Sequence, residues 1–181
     1  MALNKGNNSF VATTEADDYF DMRLNSELWF SSDNEDKVEK ALVTATGILN
    51  NLVWGGSATP STTYPLSWPR DITYFDSKFG DYVDLEDDRD DTSEGTIPDD
   101  IKTATYELAY YLLQNMSTIE SNANGSNKVK DLTVGSIKLV FDINTGVEDF
   151  KTLPTSIYKI VSKYLGNGSI ADRGVNVSGG A

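Results

Sequence analysis

The chain has 181 residues, with 15 Lys+Arg against 28 Asp+Glu, a formal net charge of −13, and neither His nor Cys. Its length suits one hydrophobic core, and 39% hydrophobic with 24% charged residues is the composition of an ordinary globular protein. The missing residues exclude disulfides, thiolate zinc sites, iron–sulfur clusters, cysteine nucleophiles, Ser–His–Asp triads and imidazole metal ligands.

Met1 to Phe10 holds no apolar run of signal-peptide type. The longest apolar stretch, Leu108 to Leu113, is six residues, far below the ~18 a membrane span needs. A soluble chain made in the cytosol is expected. Charge is uneven along it. Residues 1–120 carry 8 basic and 23 acidic side chains, residues 121–165 carry 6 basic and 4 acidic, and the remainder is neutral. Such a field repels nucleic acid, which is bound through clustered Lys/Arg.

The first helix is expected from Thr13–Thr14, with Ala16, Tyr19, Phe20 and Leu24 at helical spacing and acids in the first turn, where the helix dipole favours them. Leu28, Trp29 and Phe30 in the following link read as core contacts. Ser32 with Glu35 reads as a capping box opening a second helix. Its buried face is Val38, Leu42, Ala45, Ile48, Leu49 and Leu52, and Gly55–Gly56 ends it. Residues 54–97 show no sustained period and read as a long irregular acidic loop, pinned by Trp68 and Tyr64 and carrying a mobile acidic tip. Its segment 81–100 has ten carboxylates and one base, Arg89.

Pro98 opens a third helix with Ile101, Ala104, Thr105, Leu108, Ala109 and Leu112 inward, flanked by Tyr106, Tyr110 and Tyr111. Asn122 to Asn127 is a turn cluster. Alternation through Leu132, Val134, Ile137, Leu139 and Phe141 predicts a β-hairpin over 129–141. Pro154 opens a fourth helix with Ile157, Ile160, Val161, Tyr164 and Leu165 inward, stopped by Gly166-Asn167-Gly168. Residues 166–181 are too sparse in apolar side chains to bury themselves, so a tail ordered by a partner is expected. The expected fold is mainly α: a small four-helix bundle over 1–165, with a β-hairpin before the last helix, a long irregular acidic loop and an extended C-terminal tail, 166–181.

No chemistry stands out. The acidic run lacks the EF-hand register, so no metal site is assigned. No carboxylate pair is set apart for acid–base catalysis, no phosphate-binding glycine loop precedes a helix, and no cofactor is expected. The three tyrosines suit helix or subunit packing better than base stacking, since only Lys102 lies beside them. The basic set Lys128, Lys130, Lys138, Lys159 and Lys163 suits an acidic neighbouring subunit.

The order of the pieces is more telling. Asn8-Ser9-Phe10-Val11 precedes a first helix ending Tyr19-Phe20-Asp21-Met22-Arg23. Ala41-Leu42-Val43-Thr44-Ala45-Thr46 follows, then Leu66-Ser67-Trp68-Pro69-Arg70, Ile97-Pro98-Asp99-Asp100-Ile101-Lys102, Val134-Gly135-Ser136-Ile137 and a Pro-started final helix. Over residues 8–168 this resembles the head–tail connector (adaptor or head-completion) proteins of tailed bacteriophages, many of whose relatives are labelled primosomal-type single-stranded-DNA-binding proteins. The acidic stretch 76–96 departs from compact relatives.

The resemblance implies a non-enzymatic virion protein, assembled in the host cytoplasm, with about twelve copies in a closed ring beneath the portal. Its partners would be the portal protein, neighbouring copies, the next tail-side ring, and double-stranded DNA passing without specific binding. On that reading Ile170, Arg173, Val175 and Val177 dock on the portal, and Lys128, Lys130, Ile137, Lys138 and Leu139 meet a neighbour or the tail. Asp84, Glu86, Asp87, Asp88, Asp90 and Asp91 give the channel an acidic surface. The alternative is a single-stranded-DNA-binding replication accessory protein using Lys128, Lys130, Lys138 and the tyrosines, which the net charge opposes. An enzyme using exposed carboxylates and a divalent ion ranks third.

Overall fold

The computed structural model describes residues 2–90, 92–123, 131–134, 137–140 and 153–166. Among these residues are four α-helices: α1 (Thr13–Asp21), α2 (Glu35–Asn50), α3 (Asp99–Ala123) and α4 (Thr155–Val161). Two antiparallel strand pairs join them: β1 (Ile72–Asp76) with β2 (Asp81–Leu85), and β3 (Asp131–Val134) with β4 (Ile137–Val140). The second pair lies where alternation predicts it, in the register Asp131↔Val140 to Val134↔Ile137.

The four-helix bundle is overturned. α1 has nine residues and α4 seven, too short to line a bundle, so the helical core is chiefly α2 against α3, with α4 on α3. The long irregular loop is also corrected, because 72–85 within it is a hairpin paired Ile72↔Leu85, Tyr74↔Val83 and Asp76↔Asp81. Its inner side carries Ile72, Tyr74 and Asp76, all buried, while Thr73 and Phe75 face out. Aromatic residues on the outer face hide the period of two that normally marks a half-buried strand.

Helix starts differ in detail. Ala12 has no side-chain oxygen, so only the returning half of a capping box exists at α1, where the Ala12 amide donates to Glu15 Oε2 (2.7 Å). At the second helix Ser31, not Ser32, caps a 3-10 turn over Ser32–Asn34, and α2 follows with Glu35 and Asp36 in its first turn. Pro98 caps α3 from outside, its carbonyl accepting from Ile101 (2.9 Å) and Lys102 (3.1 Å).

The expected faces of α2 and α3 are found, but Leu24 lies beyond the end of α1 and is exposed, and Phe30, expected in the core, is exposed as well. Val38, Leu42, Ala45, Leu49 and Leu52 are buried, as are Ile101, Ala104, Thr105, Leu108 and Ala109, whereas Ile48 and Leu112 are half-buried. Two aromatic groups finish the core. In one, Phe20 stacks on Trp29 (ring centroids 4.2 Å) and Tyr110 (5.2 Å), and Tyr19 stacks on Tyr106 (4.8 Å), joining α1 to α3. In the other, Trp68 meets Trp54 and Tyr164 edge-on (5.3 Å each), and Tyr164 meets Tyr74 (4.7 Å), gathering the end of α2, the Trp68 loop, β1 and the turn after α4. Such pairs are favourable beyond the area they bury. Trp68, 1% exposed, pins the loop as expected.

Candidate functional site

The acidic region 54–97 is an ordered structure organised by its bases. Arg89, the lone base of the acidic run, has a side chain only 1% exposed, and that of Asp87 is 0% exposed. Arg89 Nη2 donates to Asp87 Oδ2 (2.7 Å) and Pro69 O (3.1 Å), while Nη1 donates to Leu66 O (2.6 Å) and Tyr64 O (3.2 Å). Arg70 similarly donates to Gly55 O (2.8 Å), Ser67 O (3.1 Å) and Gly56 O (3.1 Å). A guanidinium presents five donors in a fixed fork, so two arginines can satisfy the carbonyls of a buried non-repeating segment. The Leu66–Arg70 motif is thus a structural clamp across a cis Trp68–Pro69 peptide bond.

Burial opposes ionisation of Asp87, but the Thr59 amide (2.6 Å) and Arg89 outweigh it and hold its carboxyl below the usual range. Asp88 and Asp90 are also lowered, the first by Thr96 and the second by Thr92, as side-chain caps of local turns. Of the acidic channel-surface set, Asp84 and Glu86 are exposed, Asp88 and Asp90 are exposed but engaged locally, and Asp87 is turned inside. Asp91 lies outside the described residues.

Three further cations are likewise committed. Lys5 bridges Glu15 (3.1 Å) and Glu94 (3.0 Å), and Arg23 meets Glu107 (2.7 Å), which also accepts from Tyr19 Oη (2.6 Å). Burial, then that hydrogen bond, pushes the Tyr19 hydroxyl up to about 12. Lys163 sits between Asp100 (2.8 Å) and Asp76 (3.0 Å), and Tyr164 Oη donates to Asp100 (2.9 Å), tying α3, β1 and the end of α4 together. Lys163 is therefore an internal tie and leaves the outward basic set. An open cleft of about 560 Å³ beside it, between Trp54, Ile72 and Leu165, is lined by no other charged side chain among the described residues.

The tyrosines proposed for base stacking are not on the surface. Tyr106 and Tyr110 are 6% and 5% exposed, Tyr110 donates to the Asn25 carbonyl, and Tyr111 is half-buried. Among the described residues the exposed aromatics are Phe30 in the link after α1 and three on the first hairpin, Phe75 (49%), Phe79 (70%) and Tyr82 (70%), with Phe75 against Tyr82 at 5.5 Å. Sequence reasoning passed over the hairpin three because they lie in a segment without recognisable period.

Lys128, Lys130, Ile170, Arg173, Val175 and Val177 lie outside the described residues. Ile137, Lys138 and Leu139 lie on β4, and Lys159 is exposed on α4. Among the described residues no group of three or more acidic side chains converges as a metal site, and no helix is long and apolar enough to cross a membrane.

No curated protein and no solved structure matches the chain. A family model does, that of the "Putative DnaT-like ssDNA binding protein" family, and its match runs over residues 2–176, from before α1 to beyond α4. Because that match takes in the clamp, both hairpins and all four helices, the chain belongs to the DnaT-like family.

Proposed function

We propose that this protein is a non-catalytic structural component of a tailed-phage virion, a head–tail adaptor that rings the underside of the portal and continues the DNA channel. Two things support the reading: the ordered motif series from Asn8 to Gly168, and the electrostatics of the described surface. The observation that carries most weight is the commitment of Lys5, Arg23, Arg70, Arg89 and Lys163 to internal partners on a chain of net charge −13. With those five bases already paired within the chain and acids in large excess, the protein presents DNA with a repelling wall, suited to passage and not to grip. Docking on the portal falls to the tail residues Ile170, Arg173, Val175 and Val177.

The family description favours a second reading, single-stranded-DNA binding as a replication accessory. It would have to use Lys128, Lys130 and Lys138, since Tyr106 and Tyr110 are occupied in the core. One experiment separates the two. The chain is mixed with portal rings and viewed by electron microscopy, and in parallel with a fluorescent oligonucleotide at ~150 mM salt. An added ring that disappears when 167–181 is deleted supports the adaptor; retained oligonucleotide without a ring overturns it.

A further inference from the structure

The outer face of the β1–β2 hairpin does not fit a solvent-facing surface. Strand alternation normally puts polar residues outward on a one-sided pair, yet here Phe75 and Tyr82 are directly paired and Phe79 stands at the turn, all at least 49% exposed. Lys78 lies over the Phe79 ring at 5.5 Å. The inner face is fixed by Ile72 and Tyr74 in the core and by the Asp76–Lys163 ion pair (3.0 Å). The hairpin is therefore an anchored platform, and clustered exposed aromatics on such an element mark an interaction surface.

We propose that this face docks on the 121–165 segment of a second copy of the chain. The argument is charge complementarity. Asp71, Asp81, Asp84 and Glu86 rim the aromatics and are exposed, with Lys78 the one base among them. With Lys163 tied internally, residues 121–165 still carry five bases against four acids, where residues 1–120 carry 8 against 23. A contact between two different faces of identical chains is heterologous, the kind that closes a ring. A nucleic-acid strand fits less well, since stacked bases would bring phosphates against the acidic rim. The inference rests on the ring reading and names the subunit contact within it.

Carbodiimide cross-linking of an equal mixture of ordinary and nitrogen-15-labelled full-length chain tests it. Mixed-isotope peptide pairs should join Asp81 or Asp84 to lysines of 121–165, such as Lys138 or Lys159. Phe79→Ser/Tyr82→Ser should lower their yield about tenfold, with circular dichroism and melting unchanged because both side chains are exposed. Salt at about 0.5 M should lower it in the unmodified chain. Absence of mixed pairs, pairs unaffected by the double variant, or a variant that loses only oligonucleotide retention would each overturn the contact. A ring on the portal without these cross-links removes the contact and leaves the adaptor reading; cross-links without a ring leave the contact and remove the adaptor reading.

Discussion

Replacing Arg89 with Met keeps the apolar stem and removes the guanidinium from a fully buried position. Asp87, whose side chain is 0% exposed, then keeps its charge without its cation, and the carbonyls of Tyr64, Leu66 and Pro69 lose their shared donor. Breaking a buried pair in this way costs about 3–5 kcal/mol, a large part of the ~5–15 kcal/mol that holds a domain together. For a chain of this length that is a fall in melting temperature of about 6–20 °C. Tryptophan fluorescence during thermal or urea unfolding reports it, since Trp68 lies within the segment Arg89 clamps. Asp87→Asn added to Arg89→Met removes the stranded charge and should recover part of the loss. The recovery stays partial because Asn offers one acceptor oxygen where Asp87 takes the Thr59 amide on Oδ2 (2.6 Å) and the residue-89 amide on Oδ1 (3.2 Å), and the three carbonyls still lack their donor. A shift below about 2 °C for Arg89→Met, or strict additivity in the double variant, would refute the view that this pair holds the acidic segment.

Stability should also depend on pH at both ends. Asp87, Asp88 and Glu15 have folded pKa values below their ordinary ones, so their contribution is present above the ordinary carboxylate range and lost as pH falls through the depressed values. Lys5, Lys163 and Tyr19 are raised, so theirs is present below about pH 10 and lost as pH climbs through the raised values; melting measured from pH 3 to 11 should show a plateau between these limits, and a flat profile would contradict it. Gly56 has φ +67 and a Cβ there would collide with the Asp71 carbonyl, so Gly56→Ala should cost at least about 1–2 kcal/mol in urea unfolding. Tyr106→Phe should leave any oligonucleotide retention unchanged in a filter or polarisation assay, because the ring is buried against Tyr19; a loss would show that the core tyrosines open onto DNA.

Much of the helical architecture is legible in the sequence because it depends on local periodicity. The faces of α2 and α3 and the Pro-led starts of α3 and α4 follow from spacing alone. So does the β3–β4 pair, whose apolar residues alternate with polar ones. Trp68 as an anchor was also legible, a large ring in a segment otherwise poor in apolar side chains. The number of helices was right and the bundle was not, since how short helices pack depends on partners distant in sequence.

The −13 charge and its concentration in residues 1–120 are properties of composition, fixed before folding. Which carboxylates meet solvent is a tertiary matter. Asp84 and Asp87 are three residues apart in one acidic run, yet one is exposed and the other is sealed around Arg89. Asp87 turns in because Arg89, two residues on, is itself buried on the distant carbonyls of Leu66 and Pro69, and because the Thr59 amide is brought from elsewhere in the chain. The first hairpin escaped sequence reading for a related reason. Its outward aromatics cancel the alternation that reveals a strand, and only the burial of Ile72 and the packing of Tyr74 against Tyr164 decide which face is inside.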